Sequence, residues 1–254
     1  MFKQLRERIG ATQAAVPWGL GGALAAIVAS FAAAIIGTTV ALSTLGQMEA
    51  VMLVSWAFGA SLTVIFVIFT RRQPEQAQAL RLGNLHPSQL LSQDALLLLL
   101  IGVGLAVTMD IIAGRITGAF LPEPELIGVY SNFLYSGLAL SPVTWLFAIC
   151  FMVILQPLAE ELVFRGLALP ALRRTLGAWP GYLLSAVLYG VFHWVSYSTA
   201  LEGFAGMWYG LLSPLIAGLV YGAVRLYTQS TRAALLVHAA FGLFALVKLL
   251  TLMG

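Results

Sequence analysis

Hydrophobic and polar positions along the chain sort into long apolar runs separated by short polar breaks, at about 17–42, 51–70, 94–120, 142–165, 178–197, 206–227 and 231–252. Each approaches or exceeds the ~20 residues that a helix needs to cross a bilayer core. The pattern predicts an all-α fold, a polytopic transmembrane bundle of about seven spanning helices. The first run continues from Trp18 to Leu42, too long for the core of a cleaved signal peptide, so it reads as a span. Ahead of it, residues 1–16 carry Lys3, Arg6, Glu7 and Arg8 and read as a cytoplasmic, partly amphipathic lead-in.

The breaks differ in charge. Residues 1–16, the stretch 71–93 (Arg71, Arg72, Arg81), the turn expected after the fourth run (Arg165, Arg173, Arg174) and the connection between the last two runs (Arg225, Arg232) are basic. The alternate breaks, 43–50, 121–141 and 198–205, hold no Lys or Arg and carry Glu49, Glu123, Glu125 and Glu202. The positive-inside rule then puts the N-terminus in the cytoplasm and the C-terminus outside. Arg115 and Lys248 break the pattern; Lys248 is expected to snorkel to the outer interface.

Pro74 and Pro87 divide the chain into an N-terminal two-helix lead with its cytoplasmic connector, 1–93, and a five-helix body, 94–254. Within the connector, Leu80 to Leu91 is expected to lie along the membrane surface, with His86 a solvated loop residue. Gly206/Gly210 and Gly218/Gly222 form small-xxx-small pairs that predict close helix packing. There is no evident internal repeat of the kind that builds many transporters.

Composition agrees with a membrane location. The 254 residues are 60% hydrophobic and 9% charged, against roughly 25% charged in soluble domains. A net charge of +3 without any basic run or basic-aromatic patch gives no nucleic-acid surface, and the single Cys150 excludes an intrachain disulfide.

Against this background the ionisable residues inside the apolar second half stand out. A charged side chain at bilayer depth costs ~2.5–3.5 kcal/mol on insertion scales, so such groups persist where they pair, line a wet cavity or do chemistry. The stretch 159–166 reads Ala-Glu-Glu-Leu-Val-Phe-Arg-Gly. Glu161 and Arg165, four apart, share a helix face and can pair. Glu160 lies about 140° around the helix from Arg165, at ~100° per residue, and is less readily neutralised. On the fifth run Tyr189 and His193 share a face, and His238 lies on the seventh. Two carboxylates and two imidazoles held in apolar helices suit a buried acid/base site.

The order Glu-Glu-x-x-x-Arg, then aromatic-x-x-x-His, then His on a later helix resembles the CPBP family of intramembrane proteases. That family includes the CAAX endopeptidases that trim prenylated proteins and the Abi-like bacteriocin-processing and self-immunity members. The resemblance covers about 142–250. It implies that Glu160 with His193 activates a water against a peptide carbonyl, that Glu161 and Arg165 shape the site, and that His238 helps stabilise the oxyanion. It further implies no cofactor, and membrane lipids and a membrane-embedded or lipidated protein substrate as partners. An integral location follows, expected in a bacterial plasma membrane, with the site open to the cytoplasmic side. Two positions depart from the family pattern: Tyr189 stands where the family has Phe, and Gly242 where it has Asn or a similar polar residue. Gly242 supplies no side-chain donor, and losing an oxyanion donor costs ~10²–10³ in rate in other hydrolases.

Three other readings stay open on the sequence. One is a zinc-dependent protease with Glu160, His193 and His238 as ligands, a legitimate set drawn from three helices. Another is a catalytically silent scaffold, adaptor or self-immunity protein, which Gly242 favours. The third is a transporter using Asp110 and Arg115, which at five residues apart meet poorly on one helix.

Overall fold

The computed structural model describes residues 2–12, 14–45, 51–82, 93–117, 142–196 and 203–253. The expectations for Glu49, His86, Pro87, Glu123, Glu125 and Glu202 lie outside the described residues. Every element among the described residues is helical. A short helix α1 (Phe2–Gly10) precedes α2 (Leu20–Leu45) and α3 (Val51–Thr70), followed by the single-turn α4 (Pro74–Ala79) and the long α5 (Gln93–Thr117). Next come a continuous helical run α6 (142–176), α7 (Ala178–Ser196), a second continuous run α8 (203–228) and α9 (Thr231–Met253). Among the described residues five helices are long and apolar enough to cross a membrane: Leu20–Thr44, Asp94–Ile116, Trp145–Leu176, Gly203–Thr228 and Thr231–Lys248, and Val54–Thr70 is a shorter apolar one. Large apolar side chains such as Ile35, Phe69, Leu100 and Val195 face outward, as a lipid-facing surface requires. The molecule is an all-α membrane bundle.

The main departure from the sequence reading is the length of α6, which runs on to Leu176 instead of ending at 165. Pro170 does not stop it, because the preceding turns, Glu161–Ala168, are π-helical. A wider turn accommodates a residue that lacks an N–H and whose ring crowds the preceding carbonyls. The same arrangement recurs at Pro157, after π-helical Cys150–Leu155, and at Pro214, after Trp208–Leu212. The chain then reverses at Gly177, whose φ of +93° suits a residue without Cβ, and α7 returns along α6.

Arg165, Arg173 and Arg225 are therefore buried in helices and do not belong to polar breaks. Arg173 donates from Nη1 to the carbonyl of Ile9 at 2.6 Å and from Nη2 to that of Ala11 at 2.7 Å, capping the C-terminal end of α1. Trp18 Nε1 donates to the Leu167 carbonyl at 3.2 Å. These bonds tie the N-terminal segment to the far end of α6.

Glycine sets several helix crossings. At Gly37 an added Cβ would lie 2.8 Å from the amide nitrogen of Gly59, so α2 and α3 touch backbone to backbone. Gly210, Gly218 and Gly222 of α8 face Trp194, Tyr189 and Tyr182 of α7, which gives the predicted small-residue pairs their partners. Lys248 does not snorkel outward: its Nζ is hydrogen-bonded to Asp110 Oδ1, joining α9 to α5. A lysine that can reach a carboxylate within the bundle has less to gain from stretching to water.

Candidate active site

The hairpin α6–α7 assembles the first half of the site by simple counting. Glu160 lies seventeen residues before Gly177 and His193 sixteen after it, while Arg165 and Tyr189 lie twelve to either side. In antiparallel neighbours joined by a tight turn, equal distances mean equal depth, here roughly 25 Å from the turn for Glu160. Tyr189 donates its hydroxyl to Glu160 Oε2 at 2.7 Å, and His193 Nε2 lies 3.0 Å from the same oxygen. The hairpin α8–α9 repeats the rule about its turn at 229–230: Tyr221 and His238 stack with ring centroids 4.7 Å apart. That stack brings His238 Nε2 to 3.9 Å from Glu160 Oε2 and Nδ1 to 3.0 Å from Glu161 Oε1.

Arg165 completes the cluster. Its Nη1 lies 3.2 Å from Glu161 Oε1, and Nη2 donates to the Gly218 carbonyl at 3.2 Å. The guanidinium also sits 4.1 Å over the ring of Tyr189, a cation–π contact strengthened by desolvation. Glu160, Glu161, Arg165 and His238 are all at most 6% exposed. The His193 side chain, at 15%, is the group that reaches outward.

Six of the seven residues singled out from the sequence thus lie together. Gly242 does not join them. It faces the backbone of Met152, and an added Cβ would overlap the Met152 carbonyl oxygen. Among the described residues, no group of three His, Cys, Asp or Glu is arranged to hold a metal ion. Tyr221 escaped the sequence reading, and Gly218 was read only as a packing glycine and not as the carbonyl that Arg165 bonds, although counting back from the α8–α9 turn by His238's own distance reaches Tyr221.

Beside Glu160 lies a cavity of about 20 Å³, room for one water by volume. Its walls come from Ser30 and Ala34 of α2, Trp56, Ala60 and Thr63 of α3, and Phe192 of α7, together with α6. The N-terminal helix pair therefore borders the carboxylate directly.

This is a helical membrane bundle with a buried carboxylate–imidazole site, a class that includes intramembrane hydrolases. Residues 142–244 match the family model described as Type II CAAX prenyl endopeptidase Rce1-like, consistent with the CPBP/CAAX protease resemblance of the motifs. The matched segment carries Glu160, Glu161, Arg165, Tyr189, His193, His238 and Gly242. No curated protein and no solved structure matches the chain.

Proposed function

We propose that the protein is an intramembrane endopeptidase in which a glutamate activates water against a peptide bond of a membrane-embedded or membrane-tethered protein. The observation that carries this reading is the shared oxygen of Glu160. Oε2 accepts from Tyr189 and lies within hydrogen-bond distance of His193, with His238 a little further off. In this reading a water held beside Glu160 and His193 attacks the carbonyl carbon and gives its proton to Glu160. Negative charge forms on the carbonyl oxygen. Glu161 accepts the Nδ1 proton of His238, so a second proton on Nε2 makes that ring a cation and a donor to the oxyanion. Collapse of the tetrahedral intermediate breaks the C–N bond, and the proton held by Glu160 passes to the leaving amine. Arg165 holds Glu161 against this chemistry without joining it. No metal takes part, and the substrate enters from the cytoplasmic face of a bacterial plasma membrane.

The test is cleavage of a panel of membrane-tethered peptides, prenylated and not, by purified protein beside Glu160→Gln, with and without a chelator. Cleavage lost in the variant and indifferent to chelation supports the glutamate mechanism; chelator sensitivity moves the assignment to zinc held by Glu160, His193 and His238. A second reading draws on Gly242, which offers no amide where the family pattern has one. If the wild type cuts nothing in the panel, the catalytically silent scaffold or self-immunity reading takes precedence.

A further inference from the structure

A second cluster of buried charge lies at the end of the bundle where α1, α4 and the α8–α9 turn meet. Arg225 of α8 is 4% exposed and Arg173 of α6 is 3% exposed. Arg81, just after α4, and Arg173 are the charged neighbours of Arg225. A guanidinium carries its charge throughout the physiological pH range. Among the described residues no ion pair joins any of them to a carboxylate. Glu7 and Glu75, the acids of the two short helices here, are exposed.

The three arginines differ in how they are satisfied. Arg173 donates to the carbonyls of Ile9, Ala11 and Ala178, yet its Nε is buried with no partner. Arg225 makes a single hydrogen bond to the protein, from Nε to Thr231 Oγ1 at 3.0 Å, so both of its terminal nitrogens are left for something else. The cage around it is built firmly. Thr231 Oγ1 donates to the Leu80 carbonyl at 2.6 Å, and the Thr231 amide donates to that of Arg81 at 3.0 Å. Arg81 Nη1 donates to Gln229 Oε1 at 2.8 Å. Arg81 and Gln229 have φ values of 55° and 57° and are the non-glycine residues of positive φ among those described. A left-handed backbone at two bonded non-glycine positions is strain that surrounding structure must hold in place.

Carbonyl dipoles satisfy hydrogen bonds but carry no net charge, so the buried like charges of Arg173 and Arg225 remain uncompensated, with exposed Arg81 adding to the field from the rim. We propose that this end of the bundle is a binding site for a phosphate-type oxyanion, taken by the terminal nitrogens of Arg225 with Arg81 and Arg173 supplying field. The planar guanidinium fork matches phosphate oxygens two at a time. Two sources share that chemistry, free phosphate and the headgroup of an anionic phospholipid, and basic pockets at the ends of membrane helices suit the second. The nearby Leu176 and Trp179, both more than 40% exposed, give acyl chains an apolar wall.

The test uses the full chain, purified and delipidated in detergent. Its melting temperature is followed against inorganic phosphate, short-chain phosphatidylglycerol and phosphatidylcholine, each balanced with chloride to equal ionic strength. A saturable rise of several degrees is expected for a site ligand in large excess over its Kd. A rise with both anions assigns free phosphate chemistry; a rise with phosphatidylglycerol alone assigns the lipid headgroup. Arg225→Gln removes the rise, and Arg81→Gln, at an exposed position that folding tolerates, reduces it. No rise with either anion, or an equal rise in wild type and both variants, overturns the proposal.

Discussion

Two of the ionisable groups within the helices of this bundle set acids against bases, and they are built differently. Asp110 and Lys248 form a pair of one acid and one base that neutralise each other across α5 and α9. The cluster around Glu160 gathers two carboxylates against one guanidinium, with two imidazoles alongside. With both histidines neutral it carries one negative charge too many. The pair is closed; the cluster is balanced only when a histidine takes a proton. An arrangement whose charge balance depends on a mobile proton is suited to moving one, and a balanced pair is suited to holding helices together.

Breaking the cluster at its base should have the largest effect. Glu160→Gln keeps the shape and removes the proton acceptor, so peptide cleavage should fall by roughly 10²–10⁴-fold, while thermal unfolding in detergent moves little. A collapse of stability without a selective loss of cleavage would assign Glu160 to structure. Removing the cluster's cation tests the other side. Arg165→Met leaves Glu161 buried with its charge uncompensated and should cost ~3–5 kcal/mol, read as a large drop in melting temperature. Arg165→Lys should recover only part of that, because an ammonium cannot lie flat over Tyr189.

The closed pair should behave otherwise. Asp110→Asn and Lys248→Met each strand a charge and should lower stability, whereas the double variant should be less damaged than the sum of the two. Cleavage per folded molecule should be unchanged throughout. Additive losses in the double-mutant cycle would mean that the two groups do not act as a pair. The smallest effect sharpens the boundary between the regions. Ala60→Leu narrows the cavity beside Glu160 from the α3 side and should reduce cleavage by a few-fold, more for peptides with bulky residues at the scissile bond. An unaltered profile would put the peptide on another face of Glu160.

The spans were legible because a bilayer imposes length and apolarity on each helix. The residues Glu160, Glu161, Arg165, His193 and His238 were legible because charge in such helices is rare. What escaped was their relation in space. Reading Arg165 as the edge of a loop ended α6 eleven residues early and set Glu160 too close to the helix end to meet His193. Polar residues and Pro170 ordinarily mark a helix end; here π-helical turns absorb the proline and backbone carbonyls absorb Arg173. Once the turn is moved to Gly177, the sequence itself pairs Glu160 with His193. Gly242 could not be interpreted without coordinates, since a missing amide and a tight crossing leave the same letter in the chain. The overlap at Met152 shows the crossing, and Gly242→Asn is accordingly expected to displace α9 and lower stability more than it restores any donor. The buried Arg225 had no signal beyond its resemblance to an ordinary loop arginine.

The capping of α1 by Arg173 bears on how the protein is made. The arginine that secures Ile9 is 164 residues downstream. At ~5–20 residues per second, roughly 8–30 s of synthesis separates the helix from its cap. During that interval several spans can enter the bilayer while the first helix of the chain has nowhere to dock. Its charged residues Lys3, Arg6, Glu7 and Arg8 keep it in water or among headgroups meanwhile. Helix α1 thus settles late relative to its own synthesis, and its docking reports that α6 has been completed.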